Sequence, residues 1–344
     1  MNVLEEIQEI SSFSKMKSKL PKQKKSKNIL SSYASCVYSL NDGRLAIGRS
    51  YELLIYNMKT YRFDIKIKLI DRQDVKFILQ LKDNSLFYYT YDHSSEGPWT
   101  DTFYKNYLIE LSDKNYVDKT NILPPYSNYN ILRELSDNIL FGGITYEEES
   151  GEYHSTNATG PKRIEKLVKN MEEPGNISDA KDIIKGKFKI DSVININFND
   201  FILPNNNMIA VLTSDKLIFY KSENFEKTNF VKIDYGEKIA KYNENLLLIA
   251  AVHVEIFDYK TFKIVKSIYC VYDKIILYVN QNRAFIGETD CWDNRLTEYE
   301  IEDNGNYKQI SPSIESFKGE LSGITIVKDG RLITSTSNNV KIWS

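Results

Sequence analysis

The residues best able to do chemistry in this sequence are few and widely separated. The three histidines, His93, His154 and His253, have no cysteine or aspartate beside them at the spacing of a zinc site. A metal could bind only if the segments around His93 and His154 folded to one face. His253 lies in AVHVEIF, where we expect a strand-end histidine that bonds to the backbone. No nucleophile-elbow serine and no glycine-rich phosphate loop is present. The sequence predicts no metal, no cofactor and no catalytic residue.

Composition, charge and cysteine count restrict the class of protein. The chain has 344 residues, of which 42% are hydrophobic, and its 45 basic residues nearly cancel its 47 acidic ones. This balance gives no reason to expect a nucleic acid or an anionic membrane as a partner. No apolar run approaches the roughly 20 residues of a membrane span, and the first residues are acidic rather than those of a signal peptide. Cys36, Cys270 and Cys291 are odd in number, which indicates reduced thiols. We expect an intracellular, cytoplasmic protein.

A six-residue turn pattern recurs along the chain. It consists of an apolar residue, a spacer, an acidic or amide residue, glycine or asparagine, a spacer and another apolar residue. The seven copies are LNDGRL (40–45), LKDNSL (81–86), LSDNIL (135–140), LPNNNM (203–208), YNENLL (242–247), VNQNRA (279–284) and VKDGRL (327–332). Glycine and asparagine most readily take the positive φ of a tight hairpin. We therefore predict positive φ at the fourth position of every copy.

Each turn belongs to a unit of four predicted strands. An apolar strand such as LAIG or MIAVL follows the turn, and in most copies a second strand that ends in an aromatic residue follows it. An aromatic residue then opens a further β segment before the next turn, at Phe63, Tyr116, Phe188, Phe225, Phe262 and Tyr307. The turns are about 37 to 68 residues apart, and the shorter spacings match propeller blades of four strands.

The repeats resemble the WD-repeat family of β-propellers. VKDGRLITSTSNNVKIW carries this resemblance most strongly, followed by LNDGRLAIGRSYELLIYNMKT and LLLIAAVHVEIFDYKTF. The resemblance implies an all-β, seven-bladed β-propeller of four-stranded antiparallel blades over residues 23–344. Six or eight blades is the alternative if the long third repeat is miscounted. The family's Gly-His pair is absent, and Trp343 is followed by serine rather than aspartate. The buried His-Asp network of better-preserved members therefore has no counterpart that we can place.

The last repeat supplies only three of its four strands. We predict that residues 23–31 supply the fourth, outer strand and so close the ring. Residues 1–22 then form an amphipathic and basic N-terminal extension. Residues 15–27 contain seven lysines and no acidic residue. They are either a solvated linker that blunts a sheet edge or a patch that binds importin or phosphate, which would direct the protein to the nucleus.

A long insertion interrupts the third repeat. Residues 159–186 have a helical pattern, with Ile164, Leu167 and Val168 on one predicted face. A hairpin turn at 149–151 would place this insertion between the third and fourth strands of blade three. We expect it to be helical and dispensable for folding.

Loops that join second and third strands emerge on one face of a propeller, and two of them are rich in aromatic residues. The blade-two loop contains Trp99, Phe103 and Tyr104, and the blade-six loop contains Trp292. We predict that these four residues bind a protein partner. The alternative is that each ring covers its own loop. Residues 292–295 (WDNR) look like the element with which some WD-repeat substrate receptors dock on a ubiquitin-ligase adaptor, but that element closes a third strand, and here it precedes one.

Two classes of function remain open. The resemblance implies a non-catalytic scaffold or adaptor that binds other proteins, either as a monomer or as a subunit of a larger complex. The alternative is an enzyme with a polar site in the central channel, built from carboxylates such as Asp83, Asp137, Asp200 and Asp273. Several ionisable side chains within hydrogen-bond reach at the channel mouth would favour the enzyme.

Overall fold

The computed structural model of the chain describes residues 26–69, 73–92, 104–124, 129–136, 138–144, 162–169, 188–271, 274–289, 294–315, 317 and 319–343. These residues form seven antiparallel sheets of four strands each. One 3-10 helix, Thr120–Ile122, accompanies them. No helix in the described part of the chain has the length and apolar character needed to cross a membrane.

The strands follow one another in the order that the repeats predict. The first strand is β1 (Ser26–Leu30), and blade one is β2 (Cys36–Ser39), β3 (Arg44–Arg49), β4 (Glu52–Asn57) and β5 (Arg62–Lys68). Blade two is β6 (Gln73–Gln80), β7 (Ser85–Asp92), β8 (Tyr104–Leu111) and β9 (Tyr116–Asp118). Blade three is β10 (Ile131–Ser136), β11 (Ile139–Ile144), β12 (Arg163–Lys169) and β13 (Phe188–Asn195). Blade four is β14 (Asp200–Asn205), β15 (Met208–Leu212), β16 (Lys216–Lys221) and β17 (Lys227–Lys232).

The remaining blades repeat this arrangement. Blade five is β18 (Lys238–Lys241), β19 (Leu246–Ala250), β20 (Val254–Asp258) and β21 (Lys263–Ile268). Blade six is β22 (Lys274–Asn280), β23 (Arg283–Thr289), β24 (Asn294–Ile301) and β25 (Tyr307–Gln309). Blade seven is β26 (Leu321–Ile326), β27 (Leu332–Thr336) and β28 (Val340–Trp343), and β1 completes it. The seven-bladed prediction is confirmed, and the counts of six and eight are wrong.

The core lies between the blades. The inner strands of neighbouring blades lie side by side, and β26 lies beside β2, which closes the ring. Each sheet is therefore covered on both faces, so its middle strands are apolar at consecutive positions. In β19 all five residues of LLLIA are buried. Leu246 and Leu248 face blade six, whereas Leu247 and Ile249 face blade four.

The first strand of the chain closes the ring, as predicted. β1 pairs antiparallel with β28, with Ser26 opposite Trp343 and Leu30 opposite Val340. Ile29 and Leu30 also pack against the cluster between blades seven and one. Residues 1–22, the predicted extension, lie outside the described residues.

The predicted positive φ is confirmed at three of the seven turns. Gly43 has φ +86°, Asn84 has φ +66° and Gly330 has φ +85°. In the sixth turn the left-handed residue is Gln281, one position earlier than predicted, with φ +52°.

The prediction is wrong at Asn206 and Asn245, which do not take positive φ. These turns are held by asparagine side chains instead. Asn207 N donates to Asn205 Oδ1 over 2.9 Å, and Asn245 N donates to Asn243 Oδ1 over 2.8 Å. An asparagine side chain that accepts a backbone N–H two residues on forms a turn without left-handed backbone.

The helical prediction is wrong over Arg163–Lys169, which form β12, the third strand of blade three. Ile164 and Leu167 are both fully buried, but on opposite faces. Ile164 packs with Phe198 towards blade four, and Leu167 packs with Phe87 towards blade two. A spacing of three residues puts side chains on one face of a helix but on two faces of a strand. Because both faces of a blade are buried, the two patterns cannot be told apart from apolar spacing alone.

The position of β12 also corrects the placement of the insertion. The third strand of blade three begins at Arg163 and not directly after residue 151. Long connections therefore lie on both sides of this strand, over residues 145–162 and 170–187. The other residues of the predicted helical insertion, 159–161 and 170–186, lie outside the described residues.

Candidate functional site

A cavity of about 1050 Å³ opens at the end of the central channel where the inner strands begin. We call this side of the disc the mouth face. All seven inner strands contribute lining residues at or near their first residues. The charged side chains that line the cavity are Lys76, Arg133, Lys162, Lys238 and Lys274, which are basic, and Asp200, Glu237 and Glu320, which are acidic. Charged side chains are thus concentrated at the mouth face. Whether they could act in catalysis depends on their ion-pair and hydrogen-bond partners.

Several of these charges are neutralised locally. Lys76 Nζ lies 3.2 Å from an oxygen of Asp74. Burial disfavours the Lys76 ammonium, but the Tyr33 hydroxyl and the Asp74 carboxylate outweigh that effect and raise its pKa. Lys274 forms an ion pair with Glu320 across the boundary between blades six and seven. Lys76 is therefore held as a cation and is not poised to act as a base, and Lys274 is occupied by its ion pair.

Arg133 joins three blades at the channel mouth. Its guanidinium lies between the rings of Phe77 and Phe201, at 5.9 and 5.8 Å from their centroids. Arg133 Nη2 donates to Asp200 Oδ1 over 3.2 Å, and Arg133 Nε donates to the carbonyl oxygen of Phe201 over 3.1 Å. The other carboxylate oxygen of Asp200 accepts a hydrogen bond from Ile239 N over 3.2 Å, which extends the contact into blade five. These contacts connect neighbouring blades, so the role of Arg133 is structural.

We expect Arg133→Met to destabilise the protein by about 2 kcal/mol, because it leaves the buried Asp200 carboxylate without its counter-charge. Lys238→Met is the matched control, since Lys238 is an exposed lysine of the same mouth and should cost under about 0.5 kcal/mol. Urea unfolding measures both values. Wild-type stability in the Arg133 variant would contradict the structural role.

Of the four carboxylates of the proposed catalytic alternative, the two that the structure describes do not converge. Asp200 lies at the mouth, whereas Asp83 lies in the β6–β7 turn at the other end of the inner strand, where its Oδ1 accepts a hydrogen bond from Ser85 N over 2.9 Å. Asp137 and Asp273 lie outside the described residues. Within the described ranges, no group of three His, Cys, Asp or Glu side chains could hold a metal. The enzyme alternative is not supported.

The cysteines and the histidine in the described part of the chain have structural surroundings. Cys36 and Cys270 are free, and burial raises the pKa of each thiol to about 12, so both are protonated and poor nucleophiles. His253 accepts a hydrogen bond at Nδ1 from Cys270 N over 3.5 Å, which confirms the expected backbone contact. Cys291, His93 and His154 lie outside the described residues.

Three of the four predicted partner-binding residues, Trp99, Phe103 and Trp292, lie outside the described residues. Tyr104 is the first residue of β8 and is paired with Tyr91, which lines the cavity. The blade-two loop therefore leaves and rejoins its sheet at the mouth face.

The blade-six loop also begins and ends at the mouth face. It is flanked by Thr289 and Asn294, and Thr289 is paired with Lys274 at the cavity. Both predicted loops thus start from the same side of the disc.

The second half of the WDNR element has a structural role. Arg295 Nη2 lies 2.6 Å from Glu288 Oε1, and Val271 N donates to Glu288 Oε2 over 2.6 Å. Asn294 Oδ1 accepts a hydrogen bond from Leu321 N over 3.2 Å, and Asn294 Nδ2 donates to the carbonyl oxygen of Gly319 over 3.1 Å. These contacts join blades five, six and seven, which disfavours a role for either side chain in docking to a ubiquitin-ligase adaptor.

The sequence analysis did not predict four exposed apolar residues that lie on the mouth face. Tyr235 precedes β18, Val252 lies in the β19–β20 turn, and Tyr269 and Val271 precede β22. We call these four residues the blade-five patch. They lie in the β17–β18, β19–β20 and β21–β22 loops, which are the mouth-face loops before, within and after blade five. The only sequence signal for them is the presence of large apolar residues in short loops, which does not reveal their exposure.

The sequence matches no protein-family model and no curated protein. Its structure matches many solved propellers. The β-propeller domain of Cps50 (Swd1) from Myceliophteria thermophila is 11% identical, with a TM-score of 0.61, over 92% of this chain and 99% of that chain. The WD40 β-propeller domain of Doa1 is 10% identical, with a TM-score of 0.56, over 94% and 97%. Streptogramin B lyase is 10% identical, with a TM-score of 0.57, over 93% and 97%.

These comparisons show that the chain shares its fold, a seven-bladed β-propeller, with solved proteins that include the WD40 β-propeller domain of Doa1. At such identities the likeness shows the fold alone. Because this fold also occurs in a lyase, the function has to be argued from the site.

Proposed function

We propose that this protein is a non-catalytic adaptor that binds other proteins through its mouth face. The observation that carries this proposal is the contrast between charge and apolar surface on that face. Arg133 and Asp200 pair with each other, as do Lys274 and Glu320. Exposed aromatic and aliphatic side chains remain available beside them. Such a surface is suited to contact and not to proton transfer.

We propose that the four predicted partner-binding residues extend this surface. Trp99, Phe103 and Trp292 come between strands that end at the mouth face, and Tyr104 is the first residue of β8 at that face. Tryptophan and tyrosine are enriched among residues whose truncation weakens protein interfaces most. The alternative is that each ring covers its own loop, and then its truncation would lower stability and leave affinity unchanged.

We expect Trp99→Ala and Trp292→Ala each to weaken partner binding about 30-fold, which corresponds to about 2 kcal/mol. Affinity purification with the full chain from its native cells identifies the partner. Titration of the purified partner against each variant then gives Kd, and thermal unfolding checks the fold. Phe230→Ala is the control, because Phe230 is an exposed aromatic residue on the outer strand β17.

Unchanged Kd in both tryptophan variants would return these side chains to a structural role. The same conclusion would follow if a loss of folding accounted for the weaker binding.

A further inference from the structure

The most exposed apolar side chains of the described residues are concentrated beside blade five. The five largest exposed fractions belong to Tyr235, Tyr269, Val117, Val271 and Val252, at 75, 69, 62, 59 and 56%. Only Val117 lies elsewhere, on the outer strand β9. Exposed apolar residues scattered singly need no explanation, but a cluster on one face marks an interaction site.

Tyr235 is strained as well as exposed. It has φ +58°, a left-handed conformation in which a side chain crowds the backbone. Phe262 has a similar φ of +55°, but its ring packs 5.0 Å from that of Phe219. Because Tyr235 is three-quarters exposed, packing within the described fold offsets little of its strain. A side chain that is both left-handed and this exposed is available to an external partner.

The ring of Tyr269 is held in place before any partner binds. It lies 4.6 Å from the imidazole of His253, measured between ring centroids. His253 is fixed in turn, because Cys270 N donates to its Nδ1 and Ala251 N donates to its carbonyl oxygen over 2.8 Å. A ring that is already ordered loses little entropy on binding.

Charge around the patch is balanced. Three pairs of charged side chains lie near the patch: Lys216 with Asp215 at 3.1 Å, Lys232 with Asp234 at 3.6 Å, and Lys274 with Glu320. The exposed Glu237 and Lys238, which follow Tyr235, carry opposite charges. A strongly charged ligand would find no complementary field here, so the ligand has to be recognised by apolar contact.

The size of the patch indicates what covers it. Two tyrosines and two valines at these exposures present roughly 500 Å² of surface, which is below the roughly 800 Å² per partner of a stable protein interface. A stable dimer with a second copy of this chain would need a larger area than the patch offers. The patch is large enough for a short peptide segment.

We infer that the blade-five patch binds a short linear segment of another protein through uncharged aromatic or aliphatic side chains of that segment. This inference rests on the proposed function, and it names the subsite and the chemistry of the partner. Tyr269 is the fixed anchor, and Tyr235 is the strained second contact.

A peptide library provides the test. Random 12-residue peptides displayed on phage are selected on the immobilised full chain, and the enriched peptides are synthesised and titrated. We expect uncharged peptides rich in aromatic and aliphatic residues. Tyr269→Ser and Tyr235→Gly should each weaken them at least 10-fold, and Phe230→Ser should change Kd less than 2-fold. Tyr235→Gly should keep or raise Tm, because glycine accepts positive φ without strain.

Each other outcome overturns the inference. Peptides that bind both tyrosine variants as tightly as wild type, but are lost in Trp99→Ala or Trp292→Ala, would leave the proposed function intact and exclude this patch. Selection of charged peptides whose binding depends strongly on salt would exclude recognition by apolar contact. Concentration-dependent dimerisation that Tyr269→Ser abolishes would assign the patch to a second copy. A library without binders would overturn the inference, whereas the proposed function is decided separately by the titrations of Trp99→Ala and Trp292→Ala.

Discussion

Deletion of residues 1–32 is expected to lower the free energy of unfolding by at least about 4 kcal/mol or to cause aggregation. The deletion removes β1, which is the outer strand of blade seven. It exposes the edge of β28 and uncovers the apolar cluster against which Ile29 and Leu30 pack. It also removes the pairing that fastens blade seven to blade one, because β1 continues directly into β2. An unpaired strand edge is a template for intermolecular pairing.

Deletion of residues 1–14 is the control. It leaves all five residues of β1 in place, four of which pair with β28, so its urea midpoint and its light scattering should match those of the wild type. Two truncations with the same intact melting curve would show that pairing of β1 with β28 contributes little to stability.

Replacement of residues 159–186 by a short Gly-Ser link is expected to abolish cooperative unfolding of the native propeller. The replaced segment contains β12, which pairs with both β11 and β13. Its loss removes the fully buried Ile164 and Leu167, each worth about 2–5 kcal/mol by analogy with truncations to alanine. It also removes Glu165, whose Oε2 accepts a hydrogen bond from the buried Tyr129 hydroxyl over 2.6 Å.

Replacement of residues 171–186 alone is the control for the longer replacement. This shorter change keeps β12, and loop length affects closure entropy only slowly, so thermal unfolding should stay cooperative. Cooperative, wild-type-like melting after the longer replacement would show that blade three folds without this strand.

Local stereochemistry explains what could be predicted from the sequence. Hairpin turns need particular residues at particular positions, and the recurrence of glycine or asparagine seven times favours seven blades over six or eight. Closure by β1 follows from the same count, because a last repeat with three strands lacks an outer one.

The wrong predictions arise where more than one local structure fits the same sequence pattern. Asn206 and Asn245 lie in tight turns as predicted, but side-chain hydrogen bonds replace the left-handed backbone. Ile164 and Leu167 fit a helix face, but the sheet buries both faces of their strand. Apolar spacing distinguishes a helix from a strand only when one face of the element is solvated.

The sequence alone determined the fold, the number of blades and the strand that closes the ring, because these depend on short-range turn chemistry that recurs in seven copies along the chain. Only the tertiary structure decided which charges at the channel mouth neutralise each other and which apolar side chains remain exposed. Arg133 meets Asp200, 67 residues later, because their inner strands are neighbours in the ring. Tyr235 and Tyr269 share the mouth face because successive blades bring their loops to the same end of the channel. Burial and ion pairing are properties of neighbours in space, and in a propeller most of those neighbours belong to the next blade.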